Sequence, residues 1–575
     1  MRIWHGDTTD ASARSGALIG ADGLWYVGAT VTGAVLITVT ALNQPFNQNE
    51  LAQMAPYGSD DLSTIASGTR QPPLDPWLGS LVQHLLGEGQ LRQRLVPVVA
   101  GIGALLVMAF LLRRLGLGLA GAFGIWLMAT APLMVRYSAY TRPYALPLFL
   151  MILFVYAAMR WLDVRSKAWL TVAGVAAVCL PLSRVPEPTA FLMTTMATLC
   201  WLCWRRRLAW SAAWPVVAIA GAAMLAVGYP MFRSLKASAS GYYDPSPAGI
   251  VNRFPDGAHE IATGLLPLLG SWLPWWPISV LVLISALLVP ASRRRLAGWW
   301  FVWPLLAAPV AFALAYHFVA PVDFTRLPYR ARAAIFFVPA FVLVVSALAA
   351  AVADAANRSR TKVALAALLG AALVGQLPVT ARALWRDDSP DFARVGEMLD
   401  ATVPEDGIVL YDRPAGPDDD HMGFLAPKRY LEDSEQVVET SQLAHQPRRL
   451  SDSGPIYLLV NGQCTSGSCG SEPVSWDDQV AGWHIKARLE RFTLYAPSDG
   501  QSGRNGAIAA LRSLGHALGP EVGFRQTFAA AALLQRMGHA AEGDALVQQM
   551  YADADAETAA LIREAAERKG LDPFR

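Results

Sequence analysis

The chain has 575 residues, 54% of them hydrophobic and 16% charged, and its mean hydropathy is +0.32. That composition excludes an ordinary soluble domain. A net charge of +2 gives no sign of a nucleic-acid surface, so the basic residues inform only through where they fall.

Residues 1–23 are polar, and the first apolar run, 24–42, is long enough to span a bilayer and has no clear small-residue cleavage site, which predicts an uncleaved first helix. After a polar segment at 43–94, further apolar runs follow at 95–112, 117–135, 144–162, 168–182, 189–204, 208–229, 272–289, 299–319, 333–352 and 363–381. At about 20 residues per crossing these predict about eleven transmembrane helices. Arg113 with Arg114, Arg165 with Lys167, residues 205–207, residues 293–295, and Arg358, Arg360 and Lys362 fall on alternate connections. The positive-inside tendency makes those connections cytoplasmic. The amino terminus is then inside, while 43–94, 137–146, 230–271 and everything after 382 face outward.

Beyond 382 the character changes. DFARVGEMLDATVPEDG reads as an amphipathic helix, and GIVLYD, PIYLLVNG and HIKARLERFTLYA have strand content, so 382–500 is expected to be a small α/β extracytoplasmic domain. Residues 501–575 read as a C-terminal helical hairpin in which AALLQRMGHAAEGDAL resembles half of a tetratricopeptide pair, with Gly538 at the turn. Of the five cysteines, Cys179, Cys200 and Cys203 lie in apolar runs and read as inert small hydrophobes. Cys464 and Cys469 flank TSGS and could close a loop, which requires an oxidising compartment.

Two stretches could carry chemistry. The first outward loop holds Glu50, Asp60, Asp61 and Asp75, and a short helix beginning near Asn49 would put Glu50 in its first turn. Helix capping and solvated charge compete as roles for Asp60 and Asp61. YSAYTRPYAL, at 137–146, sets Arg136 and Arg142 among Tyr137, Tyr140 and Tyr144, and is either an interfacial belt or an anion site. His84, His259 and His317 are scattered without metal-ligand spacing, so no metal site is expected, and SWLPWWP at 271–277 reads as an interfacial belt whose rings could also stack on a sugar.

A loop acid after the first span, then QPPL entering an amphipathic helix, then LRQRLVPVVAG opening the second span and YSAYTRPYAL after the third, resembles the GT-C superfamily of membrane glycosyltransferases over about residues 24–355. The branch it looks most like is that of the protein mannosyltransferases and aminoarabinose transferases, which use polyprenyl-phosphate sugars. The resemblance implies a GT-C transmembrane domain at 24–381 with its catalytic loop at 43–94. It also implies an inverting transfer from a lipid-phosphate donor to a lipid, polysaccharide or protein acceptor, at the outer face of the inner membrane. A carboxylate must take the acceptor's proton and cations must stabilise the departing phosphate. Glu50 is the implied base, with Asp60 and Asp61 in reserve. Arg142, Arg326, Arg330, Tyr144 and Tyr329 are the implied donor-phosphate ligands, the later three from DFTRLPYRARAAIFF; Arg184, Arg233, Lys236 and Arg332 are further cations on outward loops. No cofactor is implied, apart from a divalent cation in some relatives, for which Asp60 and Asp61 would be the ligands.

The chain departs from the family at the first acid of the loop, where Asn49 precedes Glu50 in place of an Asp-Glu pair. That departure favours a rival reading, an inactive scaffold presenting its outward domain. A transporter of lipid-linked sugars is the other rival, against which stands the lack of an internal repeat.

Overall fold

The computed structural model of the chain describes residues 21–44, 46, 50, 53–69, 72–231, 284–285, 288–307, 334–355, 380–381, 392–412, 437–439, 455–461, 483–489, 492–497, 503–556, 559–560 and 562–563. The chain forms two compact units, one of residues 1–44 and 53–387, the other of residues 45–52 and 388–575.

In the first unit the helices are α1 (Ala21–Asn43), α2 (Leu62–Thr69), α3 (Leu74–Leu86), α4 (Leu95–Arg114), α5 (Gly118–Thr130), α6 (Pro132–Ser138), α7 (Ala145–Val164), α8 (Lys167–Ser183), α9 (Pro186–Trp204), α10 (Trp210–Ala223), α11 (Pro290–Gly298) and α12 (Val338–Ala355). Among the described residues five helices are long and apolar enough to cross a membrane: Gly23–Asn43, Leu95–Arg114, Ala145–Val164, Trp210–Met231 and Ile335–Asp354. A sixth span forms if α5 and α6, bent by 55°, are taken together. The expected runs 272–289 and 363–381 lie largely outside the described residues.

The first span separates an exposed apolar stripe from a packed one. On α1, Leu24, Val27, Val31 and Val35 are exposed at helical spacing, while Tyr26, Ala29, Ile37 and Ala41 are buried. Gly33 lets α1 approach its neighbours, since a Cβ there would stand 2.5 Å from Leu105 Cδ1 and 3.0 Å from Ala129 Cβ. Small residues at such crossings replace the hydrophobic drive that is missing inside a bilayer.

Helix ends are closed by side chains from elsewhere in the chain. Arg94, 1% exposed, donates to the carbonyls of Ala41 (3.0 Å) and Gln44 (2.5 Å) at the end of α1. Between α5 and α6 the ladder breaks at Pro132, with Ala131 extended (ψ 123°) as a residue before proline prefers. The carbonyl of Thr130 at this break accepts from Thr380 Oγ1 at 2.5 Å.

The second unit contains α13 (Phe392–Thr402) and five strands, β1 (Ile408–Asp412), β2 (Val437–Glu439), β3 (Ile456–Asn461), β4 (Trp483–Leu489) and β5 (Phe492–Pro497), in the order β2-β1-β3-β5-β4. β1 runs parallel to β2 and β3, whereas β5 is antiparallel to β3 and β4. Two further helices, α14 (Gly503–Arg536) and α15 (Ala540–Ala552), follow. Leu410, Leu458 and Tyr495 from the sheet share one core with Leu511, Ala530 and Leu533 of α14, so the sheet and the tail expected beyond 501 are packed as one body. Gly538, at φ +88°, ends α14: its left-handed backbone lets His539 N–H reach Leu534 O at 2.9 Å, the long bond of a Schellman turn.

Replacing Arg94 by Met removes both of its hydrogen bonds from the end of α1; Gln44 O keeps the bond from Gln90 Nε2, so the Ala41 carbonyl is the one that loses its side-chain donor. A carbonyl left unpaired out of water costs about 1–3 kcal/mol, so the variant is expected to unfold several degrees below the wild type in detergent, as read by a thermal unfolding scan.

Candidate functional site

The loop between α1 and α4 is built on α3. Pro72 and Pro73 open that helix, a position where a missing N–H is no loss. The preceding single turn, Ala55–Gly58, lays the Tyr57 ring over Gly79, and Ser80 Oγ donates to Tyr57 O at 2.9 Å. Only glycine at 79 admits that ring, because a Cβ would overlap it. α3 is polar inward and apolar outward: Asp75, Gly79 and Ser80 are buried, and Leu81, Leu85 and Leu86 are exposed. Such a helix suits the membrane surface.

Asp75 sits in the first turn of α3 and is only 2% exposed. Gln53 Nε2 donates to its Oδ2 at 2.5 Å and also lies 3.3 Å from the Tyr57 hydroxyl. The other carboxylate oxygen, Oδ1, is buried without a partner among the described residues, and so is Gln53 Oε1. Burial pushes the Asp75 carboxyl up to about 6, while the Gln53 hydrogen bond and the charge of Arg142 pull the other way. Two acceptor atoms of this bonded pair thus stand desolvated with no donor among the described residues, an arrangement proteins rarely leave unfilled.

YSAYTRPYAL brings the charge of Arg142 to bear on this carboxylate. The segment is two tight turns, with Arg142 N–H on Tyr140 O and Tyr144 N–H on Arg142 O, both at 2.7 Å. Thr141 Oγ1 anchors it to Gln93 O at 3.2 Å. Tyr137, Tyr140 and Tyr144 are all buried, their ring centroids 5.2 to 6.2 Å apart, so these rings pack inward. Arg142 is half-buried, acts on Asp75 through its charge, and makes no side-chain hydrogen bond or ion pair among the described residues. Arg136, by contrast, is exposed.

A second half-buried cation lies against Tyr144. Arg184, between α8 and α9, holds Glu187 in a two-pronged ion pair at 2.6 and 2.9 Å, with side-chain exposures of 19% and 0%. Its guanidinium lies 4.9 Å from the Tyr144 ring centre and 5.8 Å from that of Phe336. This bidentate, aromatic-flanked geometry is one that arginine and not lysine provides.

The sequence-derived candidates fall in different places. Glu50 is helical and 1% exposed, in the short segment grouped with the second unit. Asp61 is exposed and caps α2, accepting from the amides and hydroxyls of Ser63 and Thr64 at 2.7 to 3.2 Å. The hydroxyls of Thr64 and Ser63 hold its carboxyl down at about 2, which suits a cap and makes a weak base. Asp60 is solvent-exposed and meets His84 Nε2 at 3.2 Å. Arg142 and Tyr144 lie within the first unit, near Asp75 and Arg184 respectively. Asn49, Arg233, Lys236, Arg326, Tyr329, Arg330, Arg332, His259, His317, Cys464, Cys469 and segment 271–277 lie outside the described residues. No group of three or more metal-ligating side chains occurs among the described residues. Sequence reading passed over Gln53, and it took Asp75 as one loop acid among four; the signal for Asp75 was its place directly after QPPL, on the small-residue face of α3.

Residues 70–231, which hold the start of α3 and all of YSAYTRPYAL, match the family model described as dolichyl-phosphate-mannose-protein mannosyltransferase. The fold resembles the crystal structure of ArnT from Cupriavidus metallidurans bound to undecaprenyl phosphate, with a TM-score of 0.51 at 16% identity over 83% of this chain and 98% of that one. The chain is thus similar to that family over residues 70–231, and in fold to that ArnT. The same ArnT in its apo state matches with a TM-score of 0.49 at 15% identity, over 83% of this chain and 98% of that one. An Archaeoglobus fulgidus oligosaccharyltransferase matches with a TM-score of 0.39 at 13% identity, over 66% of this chain and 56% of its own. No curated protein matches by sequence. The matched region carries Asp75 and Arg142, while Gln53 lies just before it.

The Asp75 carboxyl has a linkage consequence. Its pKa in the folded chain lies above the ordinary aspartate value of 3.8, so the folded state holds the proton more tightly, and folding stability falls as pH rises from 3.8 through about 6. A shift of that size corresponds to about 3 kcal/mol at neutral pH. Asp75→Asn, which keeps the shape and the bond from Gln53, is expected to be more stable than wild type at pH 8 and to lose that advantage at pH 4, measured by thermal unfolding in detergent.

Proposed function

We propose that the chain is a membrane glycosyltransferase that takes a sugar from a polyprenyl-phosphate carrier and passes it to an acceptor on the outer face of the inner membrane. The observation that carries this reading is the family match over 70–231, a region that also holds a half-buried arginine without a side-chain partner among the described residues. The ArnT whose fold it shares is described as bound to undecaprenyl phosphate. A sugar carried as a lipid phosphodiester is already activated, so the protein has to supply a base, cations and orientation.

In the proposed reaction an acceptor hydroxyl attacks the anomeric carbon as its proton passes to a carboxylate, for which Glu50 is the candidate. The bond to the phosphate oxygen breaks, and the polyprenyl phosphate leaves with its charge met by Arg142, with Arg326, Arg330, Tyr144 and Tyr329 as further ligands. One direct displacement inverts the anomeric centre. The acceptor is a lipid, a polysaccharide or a protein hydroxyl, and the outward-facing second unit helps select it. In this topology the amino terminus is cytoplasmic and the unit after 388 extracytoplasmic. No metal enters the scheme.

Asn49 favours one second reading, a GT-C chain that has lost catalysis and acts as a scaffold. Replacing Glu50 by Gln separates the two. The enzyme reading expects a polyprenyl-phosphate sugar to accumulate and an outer-face glycan to lose one sugar, both visible by mass spectrometry of extracted lipids and glycans. Unchanged pools at normal protein abundance would remove Glu50 from the base role and move the scaffold reading ahead.

A further inference from the structure

The carboxylate of Asp75 is explained neither by the packing of α3 nor by the transfer step. A structural role would satisfy both of its oxygens; here one is held by Gln53 Nε2 and the other is buried without a partner among the described residues, as is Gln53 Oε1. Both side chains are nearly inaccessible, at 2% and 1% exposure, so bulk water does not meet that need. The first turn of a helix tolerates the charge, yet burial still raises the carboxyl's pKa, which means that the position costs the fold stability. Stability spent at a polar group that packing does not require is a mark of a binding site.

The polarity of the surroundings limits the ligand. Asp75 Oδ1 and Gln53 Oε1 are acceptors, so a ligand that meets them presents hydrogen-bond donors. An anion is repelled there. Arg142, whose charge reaches Asp75, presents only donors and suits an anion. A ligand with hydroxyl donors at one end and an acidic phosphodiester at the other satisfies both, and a glycosyl phosphate has that order of groups. Two neighbouring ring hydroxyls would serve the two acceptors, and a hydrogen bond to a carboxylate is of the stronger, charge-assisted kind.

We propose that Asp75 and Gln53 form the subsite that holds the hydroxyls of the donor's sugar ring, beside Arg142 at the phosphate. This rests on the reading of the chain as a polyprenyl-phosphate-sugar transferase, and it assigns sugar selection to residues distinct from those assigned to the phosphate and the acceptor's proton. Gln53 is a positioning residue: its amide fixes the carboxylate rotamer and adds a second acceptor.

The test uses the full chain in detergent, mixed with undecaprenyl phosphate and with a lipid extract containing glycosylated polyprenyl phosphates, and read by native mass spectrometry. Wild type is expected to retain one glycosylated lipid in preference to undecaprenyl phosphate. Asp75→Asn is expected to lose that preference by about tenfold or more, with retention of undecaprenyl phosphate unchanged, and Gln53→Leu to lose part of it. Arg142→Gln is expected to weaken both lipids together. Thermal unfolding confirms that each variant is folded. A preference that survives Asp75→Asn overturns the subsite, as does an equal loss of both lipids in that variant, or a wild type that holds the two lipids equally well. A wild type that holds neither lipid removes the transferase reading, and the subsite with it.

Discussion

A backbone carbonyl or amide at membrane depth has no water to turn to, and much of the first unit follows from finding it a partner inside the protein. Arg94 reaches from the start of α4 to close the end of α1, and Thr380 reaches back to the carbonyl freed where Pro132 breaks α5 from α6. These bonds join segments far apart in the chain. They tie the loop between α1 and α4 and YSAYTRPYAL to the helices on either side, and Thr141 on Gln93 joins the two directly.

Against that background of satisfied groups, the exceptions carry information. Arg184 and Glu187 neutralise one another, so that pair is structural in its local logic even though Tyr144 connects it to YSAYTRPYAL. Asp61 is occupied in capping α2. Asp75, Gln53 and Arg142 differ: each has a polar group in a low-dielectric setting and a remaining need that the described side chains do not meet. Desolvation strengthens whatever electrostatic contact a ligand makes there, which is why a site of this kind is worth its cost to the fold.

Much of the helical framework was legible from apolar run length. The run at 95–112 is α4, that at 144–162 is α7, and that at 24–42 is α1, each within a few residues, because a bilayer imposes its thickness on the sequence. The run at 117–135 reads as one span and is two helices, since the pre-proline geometry at Ala131 bends it by 55°. In the second unit GIVLYD, PIYLLVNG and HIKARLERFTLYA supply β1, β3, β4 and β5, their branched and aromatic content being suited to a pleated surface. β2 escaped notice because three residues carry too little pattern.

The sequence by itself determined the apolar segments, the charge asymmetry between loops, and the QPPL and YSAYTRPYAL stretches, all of which are local properties that a run of residues carries wherever it lies. Which of the three loop aspartates is buried was decided by tertiary structure. Asp60, Asp61 and Asp75 are chemically equivalent on paper. Packing leaves the first two in water and draws the third under Gln53 and Tyr57, within reach of an arginine 67 positions later in the chain. Burial depends on what the rest of the fold brings alongside, and desolvation is what separates a catalytic or binding carboxylate from a solvated one.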